Sequence, residues 1–136
     1  DELVSLGSLF GRIETDLRQL MPDGIALTVH VDGGRASPEL ANALVLIVNE
    51  FVSNSVKHAF GDGGGSISIA IEAGADRWAI ICRDDGNATA EDAGKAIAGS
   101  GLGTRVIQSL ATSMGTVAQW HADGSGLELR MESTIA

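Results

Sequence analysis

The sequence is poor in the groups that many small-domain chemistries need. It has a single cysteine, which excludes an intrachain disulfide and a cysteine-built zinc site. Basic residues number 9 against 18 acidic ones, a formal net charge of −9. That balance argues against a nucleic-acid binder, which needs clustered Lys and Arg, and against a domain drawn to anionic membrane surfaces. No apolar run approaches the roughly 18 residues of a membrane span. The first residues lack the basic, apolar, small-residue order of a secretory signal. The chain starts at Asp1 rather than Met, so it reads as a piece of a longer protein in a reducing, cytoplasmic setting. Proline is scarce, at 2 residues, while glycine is plentiful at 18 of 136, roughly twice the usual share. Such glycine is either loop filler or backbone left bare for a ligand.

What is present fits one globular domain over residues 1–136. The length suits a single core, and 44% hydrophobic with 20% charged residues argues against disorder. Leu6, Leu9, Phe10, Ile13, Leu17 and Leu20 recur at helical spacing, and Met21-Pro22-Asp23-Gly24 stops that helix. Ile25 to Val31 reads as a strand, followed by an Asp32-Gly33-Gly34 turn. Ser37 and Pro38 open a second helix that runs to about Ala59, and glycines 61–65 end it. Ser66 to Ala73 and Arg77 to Arg83 form a strand pair. Residues 84–101 lack periodicity and read as loop. A third helix spans about Leu102 to Met114 and is closed by Gly115. Thr116 to His121 and Leu127 to Ser133 make a last hairpin. The order α-β-α-β-β-loop-α-β-β predicts an α/β chain of the α+β two-layer kind, one mixed sheet with helices on one face. Phe10 and Met114 suit helix packing, Cys82 a buried thiol, and Trp78 and Trp120 the core or a sheet face.

The second helix carries candidate chemistry. Leu44, Val48, Phe51, Val52 and Ser55 share one broad face. Glu50, Asn54, Lys57 and His58 form a polar stripe placed roughly opposite its centre. Most such stripes are solvated faces with i,i+4 pairs. Asn, however, is a poor mid-helix residue, and a carboxylate, an amide oxygen and two potential cations can hold hydrated Mg²⁺ with the phosphates it bridges. Downstream, Asp84-Asp85-Gly86 closes an apolar strand, where a carboxylate can accept from an amino group and glycine lets a flat ring approach; an ordinary turn is the bland alternative. Gly99-Ser100-Gly101-Leu102-Gly103-Thr104 leads into the third helix, whose free N–H groups and dipole suit an anion. This segment is neither a P-loop nor a dinucleotide fingerprint.

Taken together and in this order, these segments resemble the GHKL (Bergerat-fold) ATPases. Asn49-Glu50-Phe51-Val52-Ser53-Asn54-Ser55-Val56-Lys57-His58-Ala59-Phe60 resembles their N-box, and Asp84-Asp85-Gly86 and Gly99 to Thr104 resemble their two glycine boxes. The Lys57-His58-Ala59-Phe60 ending and the Gly101-Leu102-Gly103 turn are most similar to the HWE-like branch of bacterial sensor histidine kinases. The resemblance spans about Leu9 to Met131 and implies a Bergerat fold with a mixed, mostly antiparallel sheet, binding ATP with Mg²⁺. It implies Asn54 as the Mg²⁺ ligand and Glu50 as the second catalytic group. Lys57 and His58 then approach the phosphates, Asp84 and Gly86 hold adenine, and Gly99, Gly101, Leu102, Gly103 and Thr104 line the phosphate turn. Residues from about Ala88 to Ser100 become an ATP lid, and Arg105 is either a γ-phosphate contact or a solvated residue.

Two departures follow. Ala88 stands where the first box usually has its second glycine. A phosphoacceptor is also lacking: His30 and His121 fall on strands as structural residues, and His58 belongs to the N-box. The expectation is therefore a catalytic ATP-binding domain of a two-component kinase. It would donate the γ-phosphoryl to a histidine on an upstream dimerisation domain and serve a response regulator, without contacting membrane or nucleic acid. A serine kinase of the anti-sigma-factor type and a degenerate docking module without ATP binding are the alternatives.

Overall fold

The computed structural model describes residues 2–61, 63–74, 76–88, 90–97 and 102–133. In chain order its elements are β1 (Val4–Ser5), α1 (Leu6–Leu20), β2 (Ile25–Gly33), β3 (Arg35–Ala36), α2 (Pro38–His58), β4 (Gly65–Ala73), β5 (Trp78–Asp84), α3 (Ala90–Ile97), α4 (Leu102–Ser113), β6 (Gln119–Ala122) and β7 (Leu127–Glu132). The caps read from the sequence are in place: Leu40 N–H donates to Ser37 Oγ at 3.2 Å, with Pro38 in the first turn of α2.

The main sheet has five strands in the order β2-β4-β5-β7-β6. β2 and β4 pair in parallel, bridged by the α2 crossover, and every other neighbouring pair is antiparallel. Alternation along the strands decides which face is covered. Leu27, Ile67, Ile69, Ile71, Ile80, Cys82, Leu129 and Met131 are buried toward the helices. Thr28, His30, Ser68, Arg83, His121 and Arg130 are exposed on the other face. From the helix side, Leu44, Ile47, Val48, Phe51, Val52 and Phe10 complete the core. This is the expected two-layer arrangement. Cys82 is fully buried, and burial pushes its thiol pKa up, away from thiolate chemistry. His30 and His121, read from the sequence as structural, stand instead on the exposed sheet face.

Three features differ from the sequence reading. Residues read as loop contain α3, whose first turn carries Glu91 and Asp92 and whose last carries Lys95. It packs on β6 with Ala93 buried. An eight-residue Ala/Gly-rich helix offers too few large apolar positions to show a period, and its support is tertiary. Asp32 and Gly33, read as a turn, continue β2 and pair with Glu72 and Ala73. The short β1–β3 ribbon was also unforeseen, since two-residue strands leave no alternation to read.

β2 is a sheet edge, and α1 blocks it. Val29 N–H donates to Glu14 Oε2 at 2.7 Å, and Arg18 Nε donates to the Leu27 carbonyl at 2.9 Å. Two of the edge groups that would invite another strand are thereby occupied. Glu14→Ala should lower stability by about 1–3 kcal/mol by leaving an N–H unpaired. Chemical denaturation read by circular dichroism checks this.

Two carboxylates, exposed Asp85 and half-buried Glu128, brace the β5 end of the sheet. Asp85 accepts from Ser66 N–H at 2.7 Å and Ser66 Oγ at 3.0 Å, and these bonds hold its pKa below the usual value. Glu128 is held low by the hydrogen-bonded Arg83 guanidinium opposite it in the β5–β7 register. A depressed carboxylate pKa adds stability that is complete above the unfolded value, about pH 4, and is lost as pH falls through the folded value. Asp85→Asn should therefore flatten the fall in Tm below about pH 4 relative to the parent. Thermal melts across that window measure it.

Candidate functional site

One cavity of about 490 Å³ gathers residues from every segment singled out in the sequence. α2 contributes Glu50, Phe51, Asn54, Ser55, Lys57 and His58. The end of β5 contributes Asp84, the turn after it Asn87 and Ala88, and β6 and β7 contribute Trp120 and Leu127. Thr104 of α4 and Asp92 and Lys95 of α3 close the rim.

The polar stripe of α2 is not on the far side of the helix, as the wheel reading had it. Glu50 and Asn54 are half-buried beside Phe51 and Ser55, while Lys57 and His58 are exposed. The reason is that α2 packs on α4 as well as on the sheet. Ile47 is fully buried, so the covered face is wide and the stripe borders it.

Asp84 is the anchor. It is 4% exposed, one of two buried polar side chains among the described residues, and Ser55 is the other. Its Oδ1 accepts from Gly86 N–H at 3.0 Å and Leu127 N–H at 3.1 Å. Its Oδ2 accepts from Ser55 Oγ at 2.8 Å. A carboxylate has about four lone-pair positions, so three donors leave one acceptor position, on Oδ2. By its helical position Ser55 belongs to the packing face. A hydroxyl centred in an apolar helical stripe was the available signal.

The glycine after Asp84 is required by a close approach. A Cβ on Gly86 would lie 2.7 Å from Ala59 Cβ and nearer still to the Ala59 carbonyl oxygen. That carbonyl accepts from Asn87 N–H at 3.2 Å, which fastens the turn to the end of α2. Gly126, outside both glycine boxes, is needed as well: its φ is +142° and a Cβ would overlap the Asp84 carbonyl. Ala88 is not strained, since no non-glycine described residue has positive φ. The Ala88 carbonyl accepts from Gly124 N–H at 2.7 Å.

Gly99, Ser100 and Gly101 lie outside the described residues. Leu102 and Gly103 open α4, so their backbone belongs to its first turn, where N–H groups have no helical partner. Thr104 reaches the cavity, and Arg105 is exposed and not in its lining.

The lining suits a nucleotide on physical grounds. Leu127 and Trp120 provide an apolar wall, and the buried Trp120 Nε1 has no hydrogen-bond partner. Asp84 presents an acceptor at the base of the cavity, and Lys57 and Lys95 lie at its rim. No group of three or more His, Cys, Asp and Glu among the described residues can hold a metal ion. A cation here would take most of its ligands from phosphate oxygens and water, the habit of Mg²⁺.

The chain is similar to known proteins along its whole length. The chain is 27% identical over 140 residues to a blue-light-activated histidine kinase from Erythrobacter litoralis, covering all of this chain and 40% of that protein. It superposes on the histidine kinase domain of the Erythrobacter litoralis EL346 blue-light-activated kinase with a TM-score of 0.85 at 24% identity, over 98% of this chain and 66% of the other. The Acinetobacter baumannii histidine kinase AdeS gives a TM-score of 0.76 at 14% identity, over 98% and 66% of the two chains. At these identities the structural likeness establishes the fold. The chain spans 40% of the length of the blue-light kinase it matches in sequence. No helix among the described residues is long and apolar enough to cross a membrane. The family described as histidine kinase-like ATPase domain matches residues 14–133, and this chain belongs to that family.

Proposed function

We propose that this chain is the ATP-binding catalytic domain of a histidine kinase and delivers the γ-phosphoryl group to a histidine on a separate helical domain. The observation that carries the reading is the buried Asp84 carboxylate. Three protein donors orient it, one acceptor position is left unused, and Asp84 is among the residues that line the cavity. That position suits the exocyclic amino group of adenine. Leu127 and Trp120 flank the ring, and the glycine at position 86 keeps the turn close to α2.

Asn54 and Glu50, one helical turn apart and half-buried, are the candidates to hold Mg²⁺ and its water. When bound, the ion neutralises phosphate charge and orients the γ-phosphoryl group. Lys57 and His58 face the phosphates from the end of α2. Leu102, Gly103 and Thr104 offer first-turn N–H groups from α4, and Gly99 and Gly101 complete that turn in this reading. Phosphoryl transfer asks the protein mainly for positioning and electrostatics, and α2 and α4 are rigid supports for both.

The acceptor lies outside this domain in our reading. His30 and His121 stand on the exposed sheet face, and His58 is in the cavity wall. An upstream dimerisation domain would bring the acceptor histidine, and a cytoplasmic response regulator would receive the phosphoryl group. The relatives reported above are histidine kinases, which favours this acceptor over serine and favours catalysis over a docking role.

Calorimetric titration with a non-hydrolysable ATP analogue tests the site. Asp84→Asn puts an amide N–H₂ where the adenine amino group would bind and should weaken affinity at least about tenfold. Unchanged affinity would show the base site to be elsewhere, and no binding by the parent chain at millimolar nucleotide would defeat the proposal. Asn54→Ala should remove the Mg²⁺-dependent part of the affinity and leave metal-free binding unchanged. Parallel titrations with and without Mg²⁺ distinguish the two contributions.

A further inference from the structure

A cleft of about 780 Å³ lies at the end of the sheet away from Asp84 and shares no lining residue with the candidate nucleotide cavity. It opens beside the sheet face that the helices leave bare. Strand register sets a row of side chains there, Asp32–Glu72–Ala79–Glu132, across β2, β4, β5 and β7. Asp32, Glu72 and Glu132 are exposed carboxylates. Neighbouring strands are about 4.8 Å apart, so Asp32 and Glu72 stand side by side, and like charges in that position destabilise a sheet.

The basic residues of this face do not relieve the row. Arg83 is bonded to Glu128, and Arg130 Nη2 lies 3.8 Å from the same carboxylate. Asp32, Glu72 and Glu132 form no ion pair. Beside them the cleft exposes apolar surface: Val117 is 68% exposed, and Trp78 is half-buried with Ala79 next to it. Arg77 is the one Lys or Arg in the lining.

We propose that this uncovered face and its cleft dock a protein partner through a segment carrying two or three Lys or Arg residues around an apolar side chain. Charge complementarity selects that occupant. The three carboxylates spread over three strand spacings and do not converge as a metal set among the described residues. Alternate residues of an extended segment project to one side about 7 Å apart, within reach of the row by Lys or Arg. The apolar residue between them would cover Val117 and Trp78. The proposal is independent of nucleotide binding.

The probe is an acetylated, amidated Lys-Leu-Lys-Leu-Lys peptide, titrated into the isotope-labelled chain and followed by amide chemical shifts. The Glu-Leu-Glu-Leu-Glu peptide is the control. Shifts should cluster at Glu72, Ala79, Val117 and Glu132 for the basic peptide alone. The double substitution Glu72→Gln with Glu132→Gln should weaken binding about fivefold to tenfold while ATP-analogue affinity stays unchanged. Val117→Ser, at an exposed position that does not threaten folding, should weaken it about threefold. Shifts scattered over the acidic surface, with parent and variants binding equally, would reduce the effect to the net charge of −9 and overturn the proposal. Absence of any shift would overturn it too.

Discussion

The buried carboxylate of Asp84 is the joint on which the site depends. It is bonded at once to α2 through Ser55 Oγ, to its own turn through Gly86 N–H and to the start of β7 through Leu127 N–H. A charged group this deep is costly unless its oxygens are hydrogen-bonded. Three donors from three segments meet that need and also fix where the fourth acceptor position points. Displacing any one of them moves the wall of the cavity, so fold and candidate chemistry share one network. The two glycines beside it serve the same joint, Gly86 by fitting under Ala59 and Gly126 by passing the Asp84 carbonyl.

Around that joint the architecture separates two environments. Helices cover one sheet face and place the candidate cavity between α2, α3, α4 and the ends of β5 and β7. The other face stays bare, with a satisfied Arg83–Glu128–Arg130 cluster near the site and unrelieved carboxylates at the far end. The edge strand β2 is closed off by Glu14 and Arg18 rather than by another strand. An uncovered sheet face therefore coexists with an edge strand on which α1 side chains occupy two backbone groups.

Much of the candidate site was legible along the chain because it follows local patterns. Asn54 one turn after Glu50, Asp84 and Gly86 ending an apolar strand, and glycines before a helix can all be read in sequence. Ser55 was not read as functional because its partner is 29 residues away. α3 was missed because its support comes from β6. The stripe of Glu50 and Asn54 was placed too far from the buried face because a helical wheel counts one packing surface, and α2 has two.

By itself the sequence determined the types of the longer elements, the one-sided core and the residue kinds of the candidate site, because periodicity, caps and turn residues are short-range properties. Only the tertiary structure decided which of those residues meet. It turned Ser55 into a ligand of Asp84, brought Gly126 against the strand end and set Asp32, Glu72 and Glu132 in one row. Strand order and register bring together residues far apart in the chain, and no local pattern encodes that distance.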